Sequence, residues 1–424
     1  MSRFLISTMP ATGHVNPAAA VATALTARGH EVLWHTGPAY RDTVERSGAA
    51  FVAARRTPSF EELPPRPDPG TRGAAEAVSA LRKLLVDRMA GQLADYEEIL
   101  QGYAADAIVV DLCALGGRAL HERHGIPWAT LGISPLTAIG PDTPPFGTGW
   151  PPPRGSLGRA RIRVYNRLGG LFMRGLTAAY SERRAALGLP PLPRGVTTFD
   201  HMMSSELHLQ AATPSIEYPR RPWPANVHLV GPLLPPVPSA MDTPQWWDEL
   251  AAARTVVHVT QGTYATDPGA LTRPTVEALA ELDGLVVVTT PDPDALGPVP
   301  ANACVAPSIP HGLLLPHVDV MVSNAGYNGV KAALAHGVPL VLAPWGNDQP
   351  DVAARIAWAG AAVNLGERTP APAAIGGAVA RVLAEPSYRE AARRIADEFR
   401  EYGTGERAAV LLESLVAEKV RTRH

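Results

Sequence analysis

Cysteine is scarce in this chain: Cys113 and Cys304 are the only two among 424 residues. They stand far apart with no metal-ligand spacing, which excludes a cysteine-built metal site, and both read as buried apolar fillers in a reducing compartment. Charge is sparse too, at 18% of residues with a net of −2. That balance argues against a nucleic-acid partner and against an anionic membrane surface. No apolar run is long enough to span a bilayer. After Arg3, only Phe4 to Met9 precede Pro10, too short a run for a secretion-signal core, so a cytoplasmic location is expected. No Gly-x-Gly-x-x-Gly follows either leading strand, which speaks against a dinucleotide-dependent oxidoreductase.

What is present is a composition 46% hydrophobic, in a chain long enough for two ordinary domains. The first half opens with a strand, Phe4 to Thr8, and a loop, Met9 to Val15. A helix follows that Asn16 caps and Pro17 enters, running to about Arg28, where Gly29 stops it. Glu31 to His35 is the next strand. The second half repeats this logic. Thr255 to Thr260 is a strand, Gln261 to Tyr264 a loop, and Asp267-Pro268 caps a helix lasting to Gly284. Leu285 to Thr289, Val318 to Val322, Leu340 to Ala343 and Ala361 to Asn364 are further strands. Apolar runs flanked by helices predict an α/β protein with mostly parallel sheets buried on both faces. The Pro-rich stretch Tyr218 to Pro244 reads as an extended connector. The expected organisation is a first domain over 1–217, a linker over 218–244, a second domain over 245–404 and a C-terminal amphipathic helix within 405–424. Residues 139–158, with Phe146 and Trp150, form a second Pro- and Gly-rich stretch that reads equally as a substrate loop or a surface insertion.

Two residues of the first half carry candidate chemistry. His14 lies in the first strand-to-helix loop, and Asp111 ends the apolar strand Ala107 to Asp111. Both fall at the carboxyl edge of a sheet, where open α/β folds bind ligands. A His held by a buried carboxylate is a good general base, because the carboxylate fixes the tautomer and stabilises the imidazolium. Taken alone, His14 reads as readily as a helix-capping loop residue. Asp106 is a nearby rival to Asp111 but precedes the strand.

The most informative stretch is Val320 to Val330, followed by Gly337 to Gln349. It reads as strand, Gly-containing turn, helix, then a second strand ending in a polar loop. Such a turn aims backbone N–H groups and a helix N-terminus at an anion, while Asp348 and Gln349 can grip neighbouring hydroxyls. A diphosphate joined to a sugar satisfies both. Asp348 reads equally as a helix cap, and Trp345 as a pocket wall or ordinary packing. Asp292-Pro-Asp294 reads as a turn rather than a metal site.

Asn324-Ala-Gly-Tyr-Asn-Gly329, Gly337-Val-Pro339 and Pro344 to Gln349 together resemble the donor signature of nucleotide-sugar glycosyltransferases with the GT-B fold, in the branch that decorates macrolides, polyketides and flavonoids. Gly13-His-Val-Asn-Pro17 resembles that family's acceptor-side loop. The resemblance implies two Rossmann-like doubly wound domains facing across a cleft, with the last helix crossing back onto the first domain. It implies inverting transfer with His14 as base, oriented by Asp111. It implies donor contacts from Thr263, Ile309, Asn324, Gly326, Asn328, Gly329, Asp348 and Gln349, and no metal or separate cofactor. The co-substrate would be a nucleoside-diphosphate sugar, with uridine or thymidine diphosphate expected first. The partners would be that donor and a small lipophilic acceptor, with no nucleic acid and no membrane. The pattern departs from the family in three places. Asn324 stands where a His is usual, Ala332 where a ribose-binding Glu is usual, and Pro307 to His311 where a base-stacking loop is usual; there the Ile309 backbone can meet the base and His311 the ribose. Lys331 is expected to point away. Phe60, Leu63, Leu85, Met89, Phe146 and Trp150 suit a greasy acceptor pocket and suit core packing equally. A nucleotide-sugar epimerase or phosphorylase, or a non-catalytic binding protein on the same scaffold, are the competing functions.

Overall fold

The computed structural model describes residues 1–57, 74–138, 140, 142–238, 242–262 and 267–422. Two parallel sheets organise it. The first contains β1 (Arg3–Ser7), β2 (Glu31–Thr36), β3 (Ala50–Ala53), β4 (Ala107–Asp111), β5 (Trp128–Gly132), β6 (Leu207–Gln210) and β7 (Val227–Leu229), in the order β3-β2-β1-β4-β5-β6-β7. The second contains β8 (Val256–Thr260), β9 (Leu285–Thr289), β10 (Ala303–Ala306), β11 (Val320–Ser323), β12 (Leu340–Leu342) and β13 (Ala362–Asn364), in the order β10-β9-β8-β11-β12-β13. Every residue of β4, β5 and β11 is buried, as parallel strands covered on both faces are; β5 was not among the strands expected from the sequence.

In each sheet the strand order reverses beside the leading strand, between β1 and β4 and between β8 and β11. Such a switch point leaves a crevice at the carboxyl ends of the strands. Ser7 pairs with Val110 there in the first sheet, and Thr260 with Ser323 in the second. Thr8 therefore stands beside Asp111, and Gln261 beside Asn324, at the same step past the last paired residues.

Four helices position the site: α1 (Thr12–Ala27), α2 (Tyr327–Ala335), α3 (Gln349–Trp358) and α4 (Glu406–Thr422). The first starts earlier than its sequence suggests. Ala11, not Asn16, is the N-cap, and Pro17 lies inside the helix. The helix after β8 is likewise shorter than expected, Thr272–Ala278. Pro274 sits in its first turn, where a missing N–H costs nothing, and Asp267 closes a turn by accepting the Gly269 N–H at 2.9 Å.

The expected connector also begins with structure. Val227–Leu229 pairs with β6 as an edge strand, so the first sheet extends past residue 217. An edge is where a Pro-flanked strand is tolerated, since only one side of it needs donors. Ala408, Ala409 and Leu412 of α4 are buried in the first half's core, and Glu413 binds the Arg28 guanidinium at 2.8 Å and the His30 ring at 2.7 Å. Among the described residues no helix is long and apolar enough to cross a membrane.

Candidate active site

At the first switch point the Asp111 carboxylate is fully shielded from solvent. Its Oδ2 accepts the Met9 N–H at 2.5 Å and its Oδ1 the Cys113 N–H at 2.7 Å, so two loop amides hold it still. His14 Nδ1 lies 3.1 Å from Oδ2. The histidine is not in a loop as expected. It is the third residue of α1, and the helix fixes the direction of its Cβ. Asp106 sits at the opposite edge, bonded to the Arg3 N–H at 2.7 Å. Cys113 packs, partly buried, against the first half's core. Its half-buried sulfur and the ligating atoms of His14 and Asp111 lie within 4.8 Å of one another. Cys304 does pack against the second half's core.

At the second switch point Asn324 takes the place that Asp111 holds in the first. Its amide donates to the Gln261 carbonyl at 2.5 Å, and its Oδ1 accepts the Gly326 N–H at 3.3 Å. One N–H of Asn324 and the Gly326 amide, both expected to face an anion, are thus used inside the turn. Ala325 occupies left-handed backbone at φ 65°, a conformation glycine adopts without cost. The first intrahelical bond of α2 is made by the Val330 N–H to Gly326 O. The N–H groups of Tyr327, Asn328 and Gly329 precede it and project from the helix end, carrying its partial positive charge.

The two switch points touch. Pro17 has no N–H for the Gly13 carbonyl one turn back, and that carbonyl accepts instead from Asn328 Nδ2, at 3.1 Å. The N-terminal end of α2 is thereby docked beside His14. Lys331 faces the first half at the Ala211 carbonyl. Its side chain is fully buried against the first half, with Nζ 3.5 Å from the Ala211 carbonyl and 4.4 Å over the Tyr327 ring. Burial pushes its ammonium down to about 7, partly opposed by Asp348. A lysine inside the apolar run Val330 to Leu334 was the available signal.

Asp348 occupies the N-cap position of α3 without making a capping hydrogen bond. Gln349 Oε1 accepts the Trp345 and Gly346 N–H groups at 2.8 and 3.3 Å, so its amide N–H2 is the part left to meet a hydroxyl. Trp345 lies under the Arg368 guanidinium at 4.3 Å. The Ile309 side chain is buried in the second core, which leaves only its backbone for a ligand. A Cβ on Gly329 would lie 3.6 Å from the His311 ring, and burial, then His336, lowers the basicity of His311. Asp292 accepts the Ala295 N–H within a turn. Leu85 and Met89 belong to the first core. Phe146 is 44% exposed on its loop. Thr263, Phe60 and Leu63 lie outside the described residues. Gln261 and Asp351 escaped the sequence reading, although both are polar residues next to strand or helix ends.

Residues 273–410 match the family described as erythromycin biosynthesis protein CIII-like, C-terminal domain. The chain is 41% identical over 421 residues to 4'-demethylrebeccamycin synthase of Lentzea aerocolonigenes, covering 98% of this chain and all of that one. It is 32% identical to UDP-glycosyltransferase 2 of Phaeomoniella chlamydospora, over 93% and 91% of the two chains. Among solved structures, the calicheamicin glycosyltransferase CalG4 superposes with a TM-score of 0.75 at 21% identity over 98% of both chains. A spinosyn rhamnosyltransferase in complex with thymidine diphosphate gives 0.69 at 23% identity, over 97% of this chain and 99% of that one. These structural likenesses show the GT-B fold.

Proposed function

This chain belongs to the GT-B glycosyltransferases of natural-product biosynthesis, and we propose that it transfers a sugar, with inversion, from a nucleoside diphosphate to a hydroxyl of a lipophilic small molecule. The observation that carries the reading is the docking of α2 beside His14 through Asn328 and Gly13, with His14 Nδ1 3.1 Å from Asp111.

In this reading Asp111 holds His14 with Nδ1 turned inward and Nε2 towards the cleft. Nε2 takes the acceptor's hydroxyl proton as the oxygen attacks the anomeric carbon. The new C–O bond forms as the bond to the diphosphate breaks, and the diphosphate leaves with the electron pair. Asp111 stabilises the imidazolium. The leaving charge is met by the N–H groups at the start of α2 and by the helix dipole, which is a metal-independent route. Asp348 and the Gln349 amide hold sugar hydroxyls, the Ile309 backbone and His311 take the nucleoside end, and Thr263 joins the diphosphate. Uridine and thymidine diphosphates are the nucleotides we favour, and the apolar loop with Phe146 and Trp150 suits a flat or greasy acceptor.

Calorimetric titration with uridine, thymidine and guanosine diphosphates, with and without magnesium, tests the donor half of the proposal. Binding of uridine or thymidine diphosphate that is indifferent to magnesium is expected. Failure of all three to bind would overturn it.

A further inference from the structure

The loop that carries Phe146 and Trp150 belongs to the first half in sequence, yet its tip rests on the second. Asp351 is on the first turn of α3, three residues after Asp348, and is 4% exposed. Its Oδ2 accepts the Gly147 N–H at 2.5 Å and its Oδ1 the Gly149 N–H at 3.0 Å. Both glycines have left-handed backbone, with φ of 85° and 63°, which lets alternate amides converge on one anion. A Cβ on Gly149 would lie 2.9 Å from the Pro350 carbonyl oxygen, so the loop backbone lies directly on the turn that bears Asp348 and Gln349. The loop's other attachments are to the first half. Arg220 donates to Leu136 O at 2.7 Å and to Thr143 Oγ1 at 3.1 Å. Trp150 packs edge-on to Tyr165 with centroids 4.7 Å apart, under the Arg161 guanidinium at 4.3 Å.

We propose that Asp351 is a positioning residue that fastens the acceptor-side loop to the donor-side turn, so that filling the donor site orders the aromatic wall against which a flat acceptor packs. This rests on the donor reading of α2 and α3 given above. Asp351 touches neither substrate; it acts through Gly147 and Gly149. The coupling is reciprocal, since any ligand that favours the fastened loop must favour the other ligand equally.

Amide hydrogen exchange on the full-length protein tests this, free and saturated with uridine or thymidine diphosphate. Wild-type amides over 146–150 should exchange slowly, and at least threefold more slowly with nucleotide. In Asp351→Ala they should exchange at least tenfold faster and ignore the nucleotide, and by the same reciprocity the nucleotide Kd should rise about threefold. Asp351→Asn should fall between, because one amide oxygen replaces a charged acceptor of two bonds. Gly149→Ala breaks the same contact from the loop side and should reproduce Asp351→Ala. Exchange within β4 and β11 serves as the control, because a general loss of stability would speed it as well. Wild-type exchange in the free Asp351→Ala protein, or a nucleotide response equal in both proteins, would overturn the proposal. If the wild type binds neither nucleotide, the donor reading and the coupling both fail, and the free-protein comparison still decides whether Asp351 fastens the loop.

Discussion

Asp111 and Asn324 occupy the same register step in their two sheets, one residue past Val110 and Ser323, and they differ by little more than a charge. Each reaches across the switch point to the loop after the leading strand. Asp111 accepts the Met9 N–H at 2.5 Å, and Asn324 donates to the Gln261 carbonyl at 2.5 Å. Both frames carry a short polar side chain at this step, and on the proposed mechanism the charge follows what each half does. Beside His14 a carboxylate supports an imidazolium. Beside the N-terminus of α2 a carboxylate would oppose a diphosphate, and an amide does not. On that proposal the first half concentrates its chemistry in side chains, and the second in backbone amides and a helix dipole.

The sharpest way to break this comparison is to remove the first half's side chains. His14→Ala and Asp111→Asn should each lower kcat by about 10²–10⁴-fold with nucleotide affinity unchanged, measured as sugar transfer to a panel of phenolic acceptors. Next comes acid. His208 in β6 and His258 in β8 are buried neutral, held by desolvation down to about 4 and about 3 from 6.5. Below pH 6.5 the unfolded chain binds protons that the folded one refuses, so stability falls as pH drops from 6.5 towards 4. The loss should approach about 3 kcal/mol for each histidine, read from urea midpoints at pH 7.5 and 4.5. Because each sheet holds one, both halves should weaken in that window. Asn324→Asp should then weaken nucleotide binding at least tenfold and cost about 1–3 kcal/mol of stability, since a carboxylate would face the Gln261 carbonyl. Smallest is Ala325→Gly, which should stabilise the fold by about 1 kcal/mol by relieving left-handed strain, measured by denaturant titration.

The two halves also differed in how far their sequence could be read. Apolar runs and their alternation with helices revealed the strands around both switch points, because parallel strands buried on both faces are mostly apolar, with few polar interruptions such as His258 in β8. Short edge strands such as Val227–Leu229 were hidden among prolines. His14 and Asp111 could be found because a side chain is written in the sequence. Their approach to 3.1 Å followed from a strand order that local patterns do not encode. In the second half the turn was legible and its wiring was not. Nothing in the run Asn324 to Gly329 says that Asn324 ties down Gly326, or that Pro17, hundreds of residues earlier, frees a carbonyl for Asn328. Asp351 was missed, and the burial of Lys331 was not foreseen, for a related reason. Their partners, Gly147, Gly149 and Ala211, lie in the opposite half.

The central claim is that one structural position serves proton transfer in the first half and diphosphate binding in the second. The affinities of Asp111→Asn and Asn324→Asp for uridine and thymidine diphosphates, measured by calorimetry beside the wild type, test it most directly. The account predicts an affinity within twofold of wild type for Asp111→Asn and a loss of at least tenfold for Asn324→Asp. Equal losses in both variants, or the reverse order, would contradict it.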